Sequence, residues 1–322
     1  MILDGKTTAK TIRRQLADEI TQHLASARAQ SKQLSPPRLD IILVGDDFAS
    51  KKYVSMKQKI GQEIGIDVKL HVFAQETKQD EILELIKQLN IDEMVSGIMV
   101  QLPLPDHIDK ATVLNSVEPV KDVDGLTAGN KEQLNEIYKS RVDTDEDIID
   151  KNSQMNTRPL LSSGRTRNSR QFFPIPATPT GIMLLLQAYG IEVAGKKAVV
   201  VGRSELVGAP MAKLLSIAGA NVEVGHSQTE DLSALTRTAD LLVVAVGKAG
   251  LISAKDVKDG VVVVDVGINR QETAPNQIVG DVDFESVSQK ASYITPVPGG
   301  VGPMTVAALM WNTVQCWKTA SE

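Results

Sequence analysis

The chain has 322 residues, 42% hydrophobic and 23% charged, with a formal net charge of -5. That length accommodates two ordinary domains, and the mild negative charge gives no reason to expect nucleic acid as a partner. Its single cysteine, Cys316, excludes an intramolecular disulfide and a multi-cysteine metal site, and fits a cytoplasmic protein.

The opening Met1–Lys6 lacks the apolar core of a signal peptide. A long helix is expected over about Thr7–Arg28, then a strand at Arg38–Val44 and a helix carrying Tyr53 and Lys57. A strand near Val68–Phe73, a charged helix near Lys78–Leu89 and a strand at Gly97–Gln101 follow. Short apolar runs separated by helices predict βαβ units and a parallel sheet. From Glu136 to Arg170 the chain is polar and aperiodic, first acidic and then basic, which predicts a long surface loop. Order returns at Phe172, with the apolar helix Ile182–Ala188. A second series then places strands at Lys197–Val201, Asn221–Val224, Asp240–Val246 and Val261–Val266, a helix at Ala209–Ile217, and a last helix over about Pro303–Trp317. Strands this rich in Val, Ile, Leu and Ala are expected to be covered on both faces. No apolar run approaches the roughly 20 residues that span a bilayer. The four histidines (His23, His71, His107 and His226) show no metal-ligand spacing, so no metal is expected.

Two places carry candidate chemistry. Tyr53 and Lys57 are four residues apart, so a helix sets them one turn from each other. They follow the strand Arg38–Val44 at its C-terminal end, where open α/β sheets place ligands. An aromatic face beside an amine suits a flat anionic or electrophilic substrate, and the same pair would also serve as a solvated helix face. In the second series, the strand ending at Val201 runs into Gly202-Arg203-Ser204 and then Val207-Gly208 at a helix start. Glycines there allow a tight turn and close approach, and free N–H groups can hold a pyrophosphate, although Ser204 stands where a middle glycine is usual. The next strand ends Val224-Gly225-His226-Ser227 without an acid, while Arg203 is available at the turn, which favours NADP over NAD. Gly247 and Gly250 follow a further apolar strand. The run Pro296–Pro303 offers a stiff, side-chain-poor backbone for a ring to lie against.

These segments together resemble the bifunctional methylenetetrahydrofolate dehydrogenase/cyclohydrolase family. The resemblance is carried by Leu3-Asp4-Gly5-Lys6, Val44-Gly45-Asp46-Asp47, Tyr53 with Lys57, and Val100-Gln101-Leu102-Pro103-Leu104-Pro105. It continues through Lys121-Asp122-Val123-Asp124-Gly125, Thr178-Pro179-x-Gly181, Gly202-Arg203-Ser204, His226-Ser227, Asp265-Val266-Gly267-Ile268-Asn269, Gly280-Asp281-Val282 and the glycine-proline run ending in Thr305. It covers nearly the whole chain apart from the polar segment.

The resemblance implies an α/β fold of two domains around a cleft. Residues 1–135, completed by the last helix over 303–322, would form the folate-binding catalytic domain. The stretch 136–172 would be an insert, and 173–302 a Rossmann-type NADP-binding domain. The implied catalytic residues are Lys57, Gln101, Tyr53 and Asp124. Substrate contacts would come from Tyr53, Gln101, Leu102, Asp124, Pro298, Gly299 and Gly300. Cofactor contacts would come from Thr178, Gly202, Arg203, Ser204, Val207, Gly208, Ser227, Gly247 and Ile268. Lys57 would be the catalytic amine bonded to Gln101, and Asp124 would face the pterin amine and ring nitrogen, two donors that a carboxylate answers with two acceptors. The implied reactions are NADP-dependent oxidation of methylenetetrahydrofolate and hydrolysis of the methenyl product to formyltetrahydrofolate. NAD is the alternative cofactor, and the implied setting is a cytoplasmic homodimer supplying one-carbon units to purine biosynthesis.

The chain departs from the family at Phe48, Ala177, Gln228 and Leu126-Thr127-Ala128, and most of all in the length of the polar insert. An inert loop is the preferred reading of the insert. Its arginines (Arg158, Arg165, Arg167 and Arg170) are the alternative, as a lure for the polyglutamate tail of folate. Rival readings are a dehydrogenase without the hydrolase, an oxidoreductase of small hydroxy acids, and a non-catalytic folate or nucleotide sensor.

Overall fold

The computed structural model describes residues 1–142, 172–271 and 274–321. These fall into two compact units. One holds Met1–Ala9, 134–142 and the described part of Thr178–Ala308; the other holds Lys10–Gln133, 172–177 and 309–321. Among the described residues no helix is long and apolar enough to cross a membrane.

The unit containing Lys10–Gln133 is built on a parallel sheet of β1 (Arg38–Val44), β2 (Asp67–Phe73) and β3 (Gly97–Val100), in the order β2-β1-β3. β1 sits in the middle, pairing Leu39 with both Val68 and Gly97, and is buried at all but its first residue. That is why its sequence is almost continuously apolar. Its one charged interior residue, Asp40, is fully buried and is answered by Arg38 Nε at 2.8 Å and His71 Nε2 at 2.7 Å. The edge strand β2 is instead mostly exposed or half-buried, with Val68 alone buried. Helix α2 (Phe48–Ile64) starts where the Asp47 carboxylate accepts the Ser50 amide at 2.7 Å, and stops at Gly65, whose φ of 90° is left-handed. α1 (Gly5–Ala29), α3 (Gln79–Ile91), α4 (Lys110–Asn115) and α5 (Ala128–Val142) complete the first stretch of chain.

The unit containing Thr178–Ala308 has a five-stranded parallel sheet. Its strands are β4 (Lys197–Val201), β5 (Asn221–Gly225), β6 (Leu241–Val244), β7 (Val262–Asp265) and β10 (Tyr293–Ile294). Their order is β10-β7-β6-β4-β5, so the direction of winding reverses between β4 and β6. The exits of those two strands therefore diverge, leaving the crevice in which open α/β sheets bind ligands. The strand residues Val199, Val201, Leu242, Val244 and Val263 form one apolar core with Val261, Ile252 and Val287. α7 (Gly208–Ile217), α8 (Leu232–Thr236) and α9 (Phe284–Ser288) link the strands, and β8 (Asn269–Gln271) pairs antiparallel with β9 (Ala274–Val279).

Some elements differ from the sequence-based expectation. The polar run expected as loop from Glu136 continues as helix to Val142; the rest of it, 143–171, including its arginines, lies outside the described residues. Helix α6 spans Ala177–Ala188, five residues earlier than the apolar run suggests. Pro179 falls in its first turn, where a missing N–H breaks no bond. The hairpin β8–β9 and the two-residue β10 carry too little periodicity to be predicted. The last helix, α10 (Val301–Ser321), starts within the glycine-rich run and buries Cys316, whose thiol pKa is driven far above its usual range by desolvation.

Candidate active site

The unit carrying β1–β3 brings Lys57, Met99 and Gln101 together. Lys57 lies on α2 and is buried with 7% of its surface exposed, while Tyr53, one turn earlier, keeps 38%. The Lys57 Nζ donates to Gln101 Oε1 at 2.9 Å and to the Met99 sulfur at 3.3 Å. Met99 is on β3 and Gln101 just beyond it, where the Gln101 amide still bonds Ile42 O at 2.8 Å. The Gln101 side chain is fixed from its other end too, since Nε2 donates to the Leu102 carbonyl at 2.6 Å. Sequence reasoning missed Met99, because an apolar residue in a strand carries no signal that its sulfur meets an amine.

Asp124 is placed by its neighbours. The segment before it runs alongside β3, with Ile98 N donating to Lys121 O at 2.7 Å. Val123 is fully buried, and its carbonyl accepts from Asn312 Nδ2 at 2.8 Å; the same nitrogen reaches Ile175 O at 2.9 Å. Gly125 follows with φ 68°, and a Cβ there would lie 2.5 Å from the Ile175 carbonyl carbon. The chain therefore turns hard against Ile175 immediately after Asp124. Asp122, two residues before Asp124, is structural: its Oδ2 accepts from the Thr127 amide at 2.7 Å and from Asn130 Nδ2 at 3.0 Å. Asn312 is a second residue missed from sequence, lying 189 positions from the carbonyl it holds.

The electrostatics couple the pair. Burial lowers the Lys57 pKa, and the Asp124 charge partly offsets that. Burial pushes Asp124 up to about 6, with Lys57 pulling it down and Asp122 pushing it up. The site thus holds an amine biased toward its neutral form beside a carboxyl biased toward its acid form. That is the condition for exchanging protons near neutral pH.

The unit with the five-stranded sheet carries the other candidate residues. Gly202 leaves β4 at φ 115°, and a Cβ on it would lie 3.0 Å from the Ala245 carbonyl carbon at the β6 exit. A Cβ on Gly208 would meet the Gly202 carbonyl carbon at 2.6 Å and Arg203 N at 2.9 Å. Strand exit and helix start are thus packed backbone to backbone, the cradle that a dinucleotide pyrophosphate requires. The residues present fit that group. The Ser204 hydroxyl accepts the Val207 and Gly208 amides, each at 3.3 Å, and so stands in the anion position expected for those groups. Arg203, Ser204, Ser227 and Gln228 are exposed. Glu223, the only acid on β5, is engaged by Lys197 at 2.6 Å. Thr178 and Thr305 share a hydroxyl bond at 3.1 Å, and Gly181 packs against Met304 where a Cβ would come within 2.8 Å of the Met304 carbonyl carbon. Ile268 is 56% exposed. Gly299 has φ 113°, and its carbonyl accepts from Lys6 N at 3.0 Å. A cavity of about 570 Å³ is lined by Gly250, Asp265, Gly280, Phe284, Pro296 and Val297. Among the described residues no group of three or more His, Cys, Asp or Glu could hold a metal ion.

Family models match on both sides of the polar segment. The tetrahydrofolate dehydrogenase/cyclohydrolase catalytic domain matches residues 3–124, and the NAD(P)-binding domain of the same family matches 176–321. The bifunctional protein FolD of Halothermothrix orenii is 46% identical over 317 residues, covering 98% of both chains. Among solved structures, the bifunctional FolD methylenetetrahydrofolate dehydrogenase/cyclohydrolase of Campylobacter jejuni is 44% identical, with a TM-score of 0.83 over 99% of this chain and 98% of that one. The Trypanosoma brucei dehydrogenase-cyclohydrolase, complexed with NADP cofactor and inhibitor, is 31% identical with a TM-score of 0.83 over 100% and 98% of the two chains. This chain belongs to the tetrahydrofolate dehydrogenase/cyclohydrolase family.

Proposed function

We propose that this chain oxidises methylenetetrahydrofolate with NADP and hydrolyses the methenyl product to formyltetrahydrofolate. The observation that carries the reading is the buried Lys57 held by Gln101 at 2.9 Å and electrostatically coupled to Asp124. Gly202, Arg203, Ser204, Val207, Gly208, Ser227, Gly247, Thr178 and Ile268 are the proposed holders of NADP, which supplies the hydride acceptor. The protein's part in that step is to position the substrate and exclude water.

The second step needs protons moved. Water adds to the cationic methenyl carbon as the neutral Lys57 amine takes one of its protons. The resulting adduct opens by breaking one carbon–nitrogen bond, with the Lys57 ammonium returning its proton to the departing nitrogen. The second proton of the water goes to solvent as the formyl carbonyl forms, so methenyl cation and water give formyl product and one proton. Gln101 keeps the amine aimed throughout. Asp124 binds the aminopyrimidine edge, and the exposed ring of Tyr53 covers the pterin face. General acid–base groups of this kind contribute about 10²- to 10⁴-fold. A cytoplasmic homodimer is the proposed working form, which sedimentation of the purified protein would check.

The test is to mix the purified protein with methylenetetrahydrofolate and either NADP or NAD, following reduced nicotinamide and the methenyl species separately. Reduction with formyl product and little methenyl build-up is the expected result, faster with NADP. Reduction with methenyl decaying only at its spontaneous rate would leave a dehydrogenase alone, and no reduction with either nucleotide would refute the reading.

A further inference from the structure

Two buried carboxylates lie outside the chemistry above. Asp281 has no exposed surface and Asp265 has 3%. The Asp281 Oδ2 accepts the amides of Val246 at 2.7 Å and Gly247 at 2.9 Å; its Oδ1 accepts the amide of Lys248 at 2.8 Å and the Asn269 side chain at 2.9 Å. The Asp281 amide in turn donates to Asp265 Oδ1 at 2.9 Å. That oxygen also takes the Gly267 amide at 3.0 Å, and Asp265 Oδ2 takes the Val282 amide at 2.9 Å. Three successive amides curled around one acceptor form an anion nest, here filled by the chain's own carboxylate. Two glycines admit the pair. A Cβ on Gly267 would come within 2.6 Å of Asp281 N, and one on Gly280 within 2.9 Å of Asp265 Oδ1, with each neighbour's carboxylate closer still.

The bonded backbone is the exit of β6, the turn after β7 and the start of β8. The β6 exit borders the crevice where the winding of the sheet reverses. Gly247 is bonded directly, and the exposed Ile268 is suspended between Gly267 and Asn269, both of which are bonded to the pair. We propose that Asp281 is a positioning residue for the dinucleotide: without touching it, the carboxylate fixes the β6-exit loop and the Ile268 turn in the shape that receives the nicotinamide end. The inference rests on the NADP reading above. The nest matters because residues 246–248 are themselves exposed and are tied down by this one buried carboxylate; without it their amides would turn to solvent and the loop would change shape.

The experiment uses the full chain with Asp281→Asn and, as a milder lesion, Asn269→Ser, which removes one of the four donors. NADP binding is measured by titration calorimetry, the dehydrogenase by its KM and kcat, and the cyclohydrolase on supplied methenyl substrate. The expected result for Asp281→Asn is an NADP Kd and KM raised roughly ten- to a hundredfold, as for a misplacement of about 1 Å, with the cyclohydrolase unchanged. Asn269→Ser should move the same quantities less. Unchanged NADP affinity in a folded Asp281→Asn protein overturns the inference, and so does an equal fall in both activities, which would mark a role in the fold alone. If Asp281→Asn does not fold, Asn269→Ser decides, and an unchanged NADP KM overturns the inference. Failure of the wild-type chain to bind NADP would instead overturn the NADP reading itself.

Discussion

Replacing Gly208 by alanine tests the cofactor cradle at its tightest point. Gly208 opens α7, and the added methyl would sit 2.6 Å from the Gly202 carbonyl carbon and 2.9 Å from Arg203 N, with the Gly202 oxygen nearer still. All of these are backbone atoms, so no side chain can rotate away. The shortfall from ordinary contact at 3.4 Å is about 1 Å, and overpacking of this kind costs about 1–3 kcal/mol. The molecule can relieve it only by backing α7 away from the turn that bears Arg203 and Ser204. A displacement of about 1 Å at a positioning element costs about 10²-fold in rate. The expected outcome is therefore a dehydrogenase kcat/KM for NADP reduced about a hundredfold, read from nicotinamide reduction. The same protein should still hydrolyse supplied methenyltetrahydrofolate, because that step uses Lys57 and no nucleotide. An alanine variant with an unchanged KM for NADP would refute the argument that backbone closeness at Gly208 shapes the cradle.

Three further outcomes are expected. Lys57→Met should lower the cyclohydrolase about 10²- to 10⁴-fold, measured as methenyl decay above the spontaneous rate, and a normal rate would remove Lys57 from the chemistry. Asn312→Ala strips two buried carbonyls, Val123 O and Ile175 O, of their donor. Leaving the Val123 carbonyl unpaired costs about 1–3 kcal/mol, which should lower the denaturant midpoint, and an unshifted midpoint would refute that role for Asn312. Asp265 is pushed up to about 6 by burial, against the three backbone amides that lower it. The folded protein therefore holds that proton more tightly than the unfolded chain does. This contribution is present below about pH 4 and is lost as pH rises through about 6, a change of about 3 kcal/mol. The stability difference between Asp265→Asn and wild type should change across that window, and parallel curves would refute the assignment.

How much could be read from the chain beforehand depended on whether the cause was local. β1 and β4 each end in an apolar run closed by glycine, and both fall where the sequence predicts them. The Asp47 cap and the Gly65 stop are likewise local, each acting within its own turn. The expected start of helix α6 is too late because its apolar run begins only at Ile182, while Pro179 in the first turn costs the helix nothing. Spacing could set Tyr53 and Lys57 on one helix face, but it could not bring Lys57 to Gln101, 44 residues away, since that meeting depends on how α2 lies on β1 and β3. Only the family resemblance joined them. Met99 and Asn312 had no local signal at all, one being an apolar strand residue and the other a polar residue within an apolar helix. The two carboxylates at 265 and 281 lay within quoted motifs, yet the motifs said nothing of the amides they gather.

Cys316 gives the experimenter an unmodified reporter. It is the chain's sole thiol, it is buried on α10, and its proton is held tightly by desolvation. Alkylating reagents attack only the thiolate, so the native protein should be almost silent to them, and each modification event records an opening of the packing around that helix. The rate of single-site labelling, followed by mass, then gives the local opening free energy of this region without any engineered probe. Repeating it with folate or nucleotide present would show how far each ligand suppresses that opening, residue-specifically and without turnover.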